Sequence, residues 1–355
     1  MKKLLALSLI VFIVVAATAC GNKTEINDGP REDIAAPNDI DLSRANGEIA
    51  VDLIEIMNDY LYERVAFTTR EYMAAEWIYQ TLDKWGFDDV EMQTFSMDSV
   101  RHVMEQWGFV PGSLEVGAMF GNHERRNYSQ NIILTLPGQS SRTIIVGAHY
   151  DTVLVPGASD NASGVALLME SALRMREIEH YYTIVYVFFG AEEMGLLGAY
   201  YYYESLSMVE RDNIKLMINA DVLFEGENFI WAASSSEFAM VEEYDPLVTE
   251  IAQIADEFNR GAYDDNIYEE MIIFVEMALL LSTDHWIFWQ NGHSVLNLAG
   301  MHYRGDGEGM LGNWDMRVWH SERDCFHYIN ARWPGKIGSA MYVFVGFLNA
   351  VLVEL

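Results

Sequence analysis

The sequence is poor in basic residues and in cysteine. Its 355 residues include 22 Lys and Arg against 53 Asp and Glu, which gives a formal net charge of −31. A nucleic-acid partner would require a basic face, and an anionic membrane would repel this surface, so the composition argues against both as charge-driven partners. Two cysteines are too few for a disulfide framework. Stability must come mainly from a hydrophobic core, for which a hydrophobic content of 51% is ample.

The N-terminus has the pattern of an export signal. Two lysines precede the apolar run Leu4 to Val15, which is too short for a membrane span, and small residues follow it. Cys20 comes next, and this arrangement resembles a bacterial lipobox, in which the thiol is acylated and becomes the mature N-terminus. The residue three places before the cysteine is Ala17, where Leu is commoner, so an ordinary secretory signal with an incidental cysteine stays open.

These features divide the chain into three predicted parts. Residues 1–19 are predicted to be a lipoprotein signal peptide. Residues 20–44, with Pro30, Pro37 and many Asp, Glu and Asn, are predicted to be a flexible tether. Residues 45–355 are predicted to form a single domain. We therefore expect an exported protein of the cell envelope, which faces outward and is anchored to the bacterial membrane by a lipid on Cys20.

Strands and helices alternate from about residue 130 onward. Strands are predicted at 131–136, 143–148, 183–189, 214–220, 229–234 and 294–298, and helices at 162–178, 195–205, 244–260 and 335–352. Upstream, a helical pattern extends from about Gly47 to Trp85. Strands separated by helices of this length indicate an α/β fold with a mixed, mostly parallel central sheet flanked by helices on both faces.

Three of the predicted strands are followed by side chains of the types that can bind metals. His149 follows the second strand directly, Glu192 and Glu193 follow the third after two small residues, and Asp221 follows the fourth directly. The carboxyl ends of parallel strands meet at one edge of a sheet, and open α/β sheets bind their ligands at that edge. We therefore expect these side chains to face one site.

A fourth carboxylate, Asp160, lies in the small-residue turn 157–164, just before a predicted helix. Taken alone, an Asp in this place is most simply a helix N-cap. Taken with the three strand ends, a carboxylate that reaches across to the same edge of the sheet is the better interpretation.

The types of ligand at this edge favour zinc. Imidazole nitrogen and carboxylate oxygen without thiolate suit a catalytic zinc better than a structural one. Two metal ions bridged by one carboxylate would polarise a carbonyl group and acidify a bound water. Hydrolysis also needs a general base that is not a ligand. Adjacent loop residues such as Glu192 and Glu193 can divide these two roles, because they cannot both point the same way.

The segments that carry these residues resemble a known enzyme family. They occur in the order GAHYD (147–151), GASDNASG (157–164), FFGAEEMGLLG (188–198), NAD (219–221), STDH (282–285) and WHSERD (319–324). Together they resemble the co-catalytic zinc aminopeptidases, which include the bacterial leucyl and Streptomyces aminopeptidases. Glutamate carboxypeptidases and glutaminyl cyclases are more distant relatives. The similarity extends from about residue 45 to the C-terminus.

The resemblance implies two zinc ions with one shared ligand. His149 and Asp221 would complete one zinc site, Glu193 and His320 would complete the other, and Asp160 would bridge them. The assignment of His320 depends on the resemblance alone, because no predicted strand ends there.

The resemblance also implies roles for residues that are not ligands. Glu192 would be the general base that takes a proton from the bridging water and returns it to the leaving amine. Asp151 would orient the imidazole of His149, and Asp324 would do the same for His320.

Three further features follow from the family pattern. Asp284 belongs to a segment that lies near the site in relatives. The Asp160–Asn161 peptide bond is expected to be cis. Trp319 stands where many relatives have a Tyr whose hydroxyl stabilises the tetrahedral intermediate, and an indole N–H replaces it only if it points inward. Because Trp319 lacks the Tyr hydroxyl, stabilisation of the oxyanion would rest mainly on the zinc ions.

An aminopeptidase that acts on peptides outside the cell is the leading interpretation. A carboxypeptidase-like relative stays open, with Arg304, Arg317 and Arg323 as candidates to bind a terminal carboxylate. A glutaminyl-cyclase-like relative is disfavoured, because Asn161 and Gly190 match the peptidase pattern. A non-catalytic lipoprotein that binds peptides is the third alternative, although such relatives typically lose ligands or the base. The sequence leaves the oligomeric state, the physiological metal and the preferred side chain undetermined.

Overall fold

The computed structural model describes residues 40–225, 227–233, 246–264, 273–276, 283–301 and 318–355. The predicted signal peptide, the proposed lipidation site Cys20 and the predicted tether up to residue 39 lie outside the described residues. Arg304 and Arg317, two of the candidates for binding a terminal carboxylate, also lie outside them.

A sheet of eight strands forms the centre of the described part of the chain. The strands are β1 (Val90–Ser96), β2 (Tyr128–Leu136), β3 (Ser140–His149), β4 (Tyr182–Phe189), β5 (Ile214–Ala220), β6 (Glu227–Ala233), β7 (Ile273–Glu276) and β8 (Val295–Met301). Their order is β1-β2-β4-β3-β5-β8-β6-β7. The four central strands β4, β3, β5 and β8 run parallel, whereas β1–β2, β2–β4 and β8–β6 are antiparallel pairs. The predicted mixed, mostly parallel sheet is confirmed.

Helices cover both faces of this sheet. They are α1 (Glu48–Tyr60), α2 (Thr69–Lys84), α3 (Met97–Gln106), α4 (Leu114–Met119), α5 (Ser163–Met175), α6 (Leu197–Ser205), α7 (Met208–Asn213), α8 (Pro246–Asp264), α9 (His285–Gln290), α10 (Phe326–Arg332) and α11 (Lys336–Glu354). Successive residues of a strand point to opposite faces. Ile144 and Val146 of β3 therefore pack with α1, α2, α5 and α11, whereas Ile145 packs with α6 and α9.

The predicted N-terminal helical pattern is interrupted. It forms two helices, α1 and α2, joined by a connection at residues 61–68. Within this connection Glu63 and Phe67 have left-handed φ values of 54° and 56°, which a right-handed helix cannot contain. The edge strand β1, which follows α2, has no counterpart in the sequence prediction.

Among the described residues, α11 alone has the length and hydropathy of a helix that could cross a membrane. Its residues Phe344, Phe347 and Leu348 are fully buried, and the helix packs against α1, α5 and α8. An apolar helix that is enclosed in this way belongs to the protein core.

The N-terminus of α1 is held by a buried carboxylate. Glu170 of α5 accepts hydrogen bonds from the backbone N–H groups of Gly47 at 2.8 Å and Ala50 at 2.7 Å, and it pairs with Arg174 at 2.7 Å. Gly47 has a left-handed φ of 83°, and a Cβ there would collide with the backbone of Tyr342 in α11. The chain is therefore fixed to the core shortly after the predicted tether ends.

Candidate metal centre

Four of the predicted ligands meet at the carboxyl edge of the parallel strands. His149 is the last residue of β3, Asp221 directly follows β5, and Glu193 lies in the loop after β4. Because β3 lies between β4 and β5 and all three run parallel, these strand ends are neighbours. Asp160 reaches the same place from the turn Ala158–Ala162, which precedes α5.

The predicted ligands form two groups that share Asp160. In the first group, His149 Nε2 lies 3.1 Å from Asp221 Oδ1 and 3.2 Å from Asp160 Oδ1. In the second, His320 Nε2 lies 3.2 Å from Asp160 Oδ2 and 3.3 Å from Glu193 Oε2. The structure thus brings all five side chains together, with one oxygen of Asp160 in each group.

The spacing and the donor atoms of both groups fit zinc. Ligands at about 2.0 Å from a tetrahedral zinc ion lie about 3.3 Å from one another, close to the observed separations of 3.1 to 3.3 Å. Each Nε2 atom faces two carboxylate oxygens at nearly equal distance, and one metal ion bound among the three atoms would accept a lone pair from each of them. Glu193 Oε1 is buried and has no hydrogen-bond partner in the described part of the chain.

The centre also holds more buried negative charge than positive charge. Burial raises the pKa of Glu192 and of Asp284 well above their usual ranges, and the surrounding carboxylates add to the effect. Burial lowers the pKa of His320, but Glu193 and Asp160 outweigh it and raise this pKa to about 11. A cation between the ligands would supply the positive charge that these buried carboxylates need.

Asp324 holds the turn that carries the shared ligand. Its two oxygens accept the backbone N–H groups of Ser159 at 2.5 Å and Asp160 at 2.9 Å. The sequence-based expectation places Asp324 against the imidazole of His320, whereas the structure places its carboxylate under the backbone of Asp160. The expected cis peptide bond at Asp160–Asn161 is confirmed.

Asp151 contacts both the first histidine and the glutamate loop. Its carboxylate oxygens accept the backbone N–H groups of Glu192 at 2.9 Å and Glu193 at 3.2 Å. His149 Nδ1 lies 3.2 Å from the backbone carbonyl oxygen of Asp151 and 3.7 Å from its carboxylate. Asp151 therefore orients the imidazole mainly through its backbone, and its carboxylate holds the loop.

Asp284 and Trp319 flank the centre. Asp284 is fully buried, and neither of its carboxylate oxygens has a hydrogen-bond partner among the described residues. The indole of Trp319 stacks on the imidazole of His320, with ring centroids 4.0 Å apart and planes inclined by 23°. This packing restricts the orientation of the imidazole.

Arg64 is a residue of the centre that the sequence does not predict. It is fully buried, and its guanidinium donates to the carbonyl oxygens of Tyr150 at 2.6 Å, Pro156 at 3.1 Å and Gly157 at 2.9 Å. Burial lowers its pKa to about 10, so the side chain remains a cation. Arg64 thus braces the loop between β3 and the turn of Asp160, and no local pattern around it indicates such a role.

Comparison with known proteins identifies relatives of this chain. Residues 131–345 match the model of Peptidase family M28. A leucine aminopeptidase 1 of Uncinocarpus reesii is 26% identical over 234 residues, which cover 62% of this chain and 52% of that protein. A probable lipoprotein aminopeptidase, LpqL, of Mycobacterium tuberculosis is 36% identical over 115 residues, which cover 32% and 22%. The chain spans about half or less of the length of these curated relatives.

Solved structures share the fold over nearly the whole chain. A zinc aminopeptidase from Bacillus subtilis superposes with a TM-score of 0.60 at 17% identity, covering 86% of this chain and 95% of that one. A glutaminyl cyclase from an Acidobacteriales bacterium superposes with a TM-score of 0.59 at 19% identity, covering 89% and 98%. The fold alone therefore does not separate a peptidase from a cyclase.

Proposed function

The chain belongs to peptidase family M28, and we propose that it is a metal-dependent exopeptidase that acts as an aminopeptidase on extracellular peptides. The observation that carries this proposal is the pair of ligand groups that share Asp160. Glu192 stands beside these groups without belonging to either. Metal-dependent hydrolysis uses this combination of metal ligands and a separate base.

We assign the five ligands to two zinc ions. His149 and Asp221 would hold one ion, Glu193 and His320 would hold the other, and Asp160 would give one oxygen to each. Zinc bound there supplies a Lewis acid for the carbonyl group of the scissile bond and acidifies the attacking water. The near-equal distances of each imidazole Nε2 to two carboxylate oxygens support this assignment.

Glu192 is the proposed general base. It interacts electrostatically with His149 and Asp221 but belongs to neither ligand group. A carboxylate oxygen of Glu192 would accept a proton from the attacking water and then deliver it to the nitrogen of the leaving amine. Asp151 fixes the backbone at Glu192 and at the next residue, because its carboxylate accepts the N–H groups of Glu192 and Glu193.

The carboxypeptidase alternative lacks a supporting contact in the described part of the chain. Of its three candidate residues, Arg304 and Arg317 lie outside the described residues. Arg323 is exposed, and its guanidinium lies 5.9 Å above the ring of Tyr328. The buried Arg64 already donates to four backbone carbonyl groups, so it is not directed at a substrate carboxylate.

A substrate panel tests the proposed activity. We expect the purified protein to hydrolyse aminoacyl-anilides with a free amino group, to leave their N-acetylated counterparts intact, and to lose activity when a chelator removes the metal. Cleavage of blocked peptides alone would overturn the aminopeptidase proposal. Cyclisation of an N-terminal glutamine without hydrolysis would indicate a cyclase, and peptide binding without turnover of any substrate would indicate a non-catalytic protein.

We also propose that the protein is an outward-facing lipoprotein of the cell envelope. The lipobox-like residues before Cys20 support this, as does the similarity to a probable lipoprotein aminopeptidase. Cells fed an alkyne fatty acid should label the wild-type protein in the membrane fraction, and Cys20→Ala should be unlabelled. An unlabelled wild-type protein, or a Cys20 that mass spectrometry finds in a disulfide with Cys325, would contradict the anchor.

A further inference from the structure

Glu71 is a buried carboxylate at the start of α2 that the mechanism above does not use. It is fully buried, and three donors from three parts of the chain converge on it. Oε2 accepts the backbone N–H of Phe67 at 2.7 Å, and Oε1 accepts the hydroxyl of Ser129 at 2.6 Å and the backbone N–H of Ala191 at 3.1 Å. The two oxygens thus bind different parts of the chain, since Oε2 binds the connection before α2, and Oε1 binds β2 and the loop after β4.

The contact with Ala191 reaches the residue directly before the proposed base. Ala191 has a left-handed φ of 55°, which is uncommon for a residue other than glycine. It is the point where the chain turns from β4 into the loop of Glu192 and Glu193. Its N–H group donates to the buried carboxylate of Glu71, and its carbonyl oxygen accepts the N–H of Leu197 at 3.2 Å.

Three consecutive amides of this loop therefore bind buried carboxylates. The N–H of Ala191 binds Glu71, and the next two N–H groups, of Glu192 and Glu193, bind Asp151. Two acids from different elements thus define the path of the backbone that carries the proposed base and one proposed ligand.

We propose that Glu71 is a positioning residue of the reaction, which sets the direction of Glu192 by holding Ala191. The inference rests on the proposed function, since it assumes that Glu192 moves the proton. A displacement of about 1 Å in a reacting group can lower a rate by about a hundredfold. The loss of one acceptor at Ala191 should therefore affect turnover more than substrate binding.

If Glu71 only stabilised the N-terminus of α2, its replacement would leave kcat unchanged. A matched variant at Thr68 separates this stabilising role from the proposed positioning role. Thr68 is the N-cap of α2, and its hydroxyl oxygen accepts the N–H of Glu71 at 3.4 Å. Thr68→Ala removes this cap and leaves the contact between Glu71 and Ala191 in place. Glu71→Gln keeps the shape of the side chain but has one accepting oxygen in place of two, so one site loses its acceptor.

The experiment compares wild-type protein, Glu71→Gln, Glu71→Ala and Thr68→Ala at saturating zinc, with urea denaturation as the measure of stability. We expect Glu71→Ala, which removes the acceptor of Ala191, to lower kcat on an aminoacyl-anilide by about tenfold to a hundredfold, with KM little changed, and Glu71→Gln, which keeps one accepting oxygen, to lower it by less. Thr68→Ala should keep the wild-type kcat although it is less stable. Wild-type kcat in folded Glu71→Ala, or an equal fall in Thr68→Ala, would overturn the inference.

Zinc affinity gives a second readout that does not depend on hydrolysis. Because Glu193 lies on the same loop, Glu71→Ala should weaken zinc binding by about tenfold or more, measured by competition with a chromogenic chelator, whereas Thr68→Ala should not. If the wild-type protein hydrolyses no substrate, the proposed function fails, and this comparison still decides whether Glu71 positions the loop. Equal zinc affinity in Glu71→Ala and wild-type protein would then contradict the inference.

Discussion

At the scale of single residues, acidic residues that are not proposed ligands fix the backbone beside acidic residues that are proposed ligands. Asp324 accepts two amides of the turn that carries Asp160, and Asp151 accepts two amides of the loop that carries Glu193. These contacts fix the backbone instead of the ligand side chains. The carboxylate oxygens of both proposed ligands therefore remain available to the metal.

The first prediction at this scale concerns Glu192. Glu192→Gln should lower kcat by about 10²- to 10⁴-fold, because the amide cannot accept a proton from the attacking water. The zinc content should stay at the wild-type value, since Glu192 is not in either ligand group. Glu179→Gln, at an exposed position, is the matched control and should keep full activity. A Glu192→Gln protein that binds zinc normally and retains the wild-type rate would rule out this base.

The sequence predicts some residues of the centre better than others, and geometry explains the difference. His149, Glu193 and Asp221 follow parallel strands, whose carboxyl ends must meet. His320 lies in a loop at 318–325 that follows no predicted strand, so only the resemblance to a family indicates it. Arg64 binds backbone carbonyl groups 86 to 93 residues away, and no local pattern encodes such a contact.

At the scale of elements, the strands with both faces buried are the ones that the sequence predicts well. Strand β5 has the predicted bounds 214–220, and β4 begins one residue earlier than predicted, because a strand covered on both faces is a continuous apolar run. Strand β1 (VEMQTFS) has one fully buried residue, Phe95, and lies at the edge of the sheet. Its pattern carries neither a continuous apolar run nor strict alternation, so the sequence does not indicate it.

The attachment of α1 to α5 gives a prediction about stability. Glu170→Ala should lower the free energy of unfolding by about 3 kcal/mol, because it leaves the buried N–H groups of Gly47 and Ala50 without an acceptor and removes the carboxylate that pairs with Arg174. Turnover by the folded protein should not change, since Glu170 lies outside both ligand groups. Urea denaturation measures the first quantity and steady-state kinetics the second.

The matched control for this prediction lies just after the C-terminus of α5. Glu177 forms an exposed pair with Arg176 at 3.2 Å, and Glu177→Ala should change the free energy of unfolding by less than about 1 kcal/mol. An equal fall in the free energy of unfolding in the two variants would show that the buried contacts of Glu170 add no stability beyond that of an exposed pair. The proposed stabilising role of Glu170 would then be contradicted.

At the scale of the whole molecule, the centre depends on residues from before the segment that matches the family model. That segment is 131–345, yet Arg64 and Glu71 come from the connection between α1 and α2 and from the start of α2. They hold the two loops that carry the proposed ligands Asp160 and Glu193. This dependence agrees with the prediction of one domain over residues 45–355, which remains a prediction.

The central claim is that Asp160 joins two zinc sites in one hydrolytic centre. The most direct measurement is the zinc content of the active protein, followed as zinc is returned to chelated protein and hydrolysis is recorded. We predict that full activity coincides with two zinc ions per chain, and that His320→Ala, which removes the ligand with the least support from sequence, lowers this number to one. Full activity in protein that holds fewer than two zinc ions would contradict the claim.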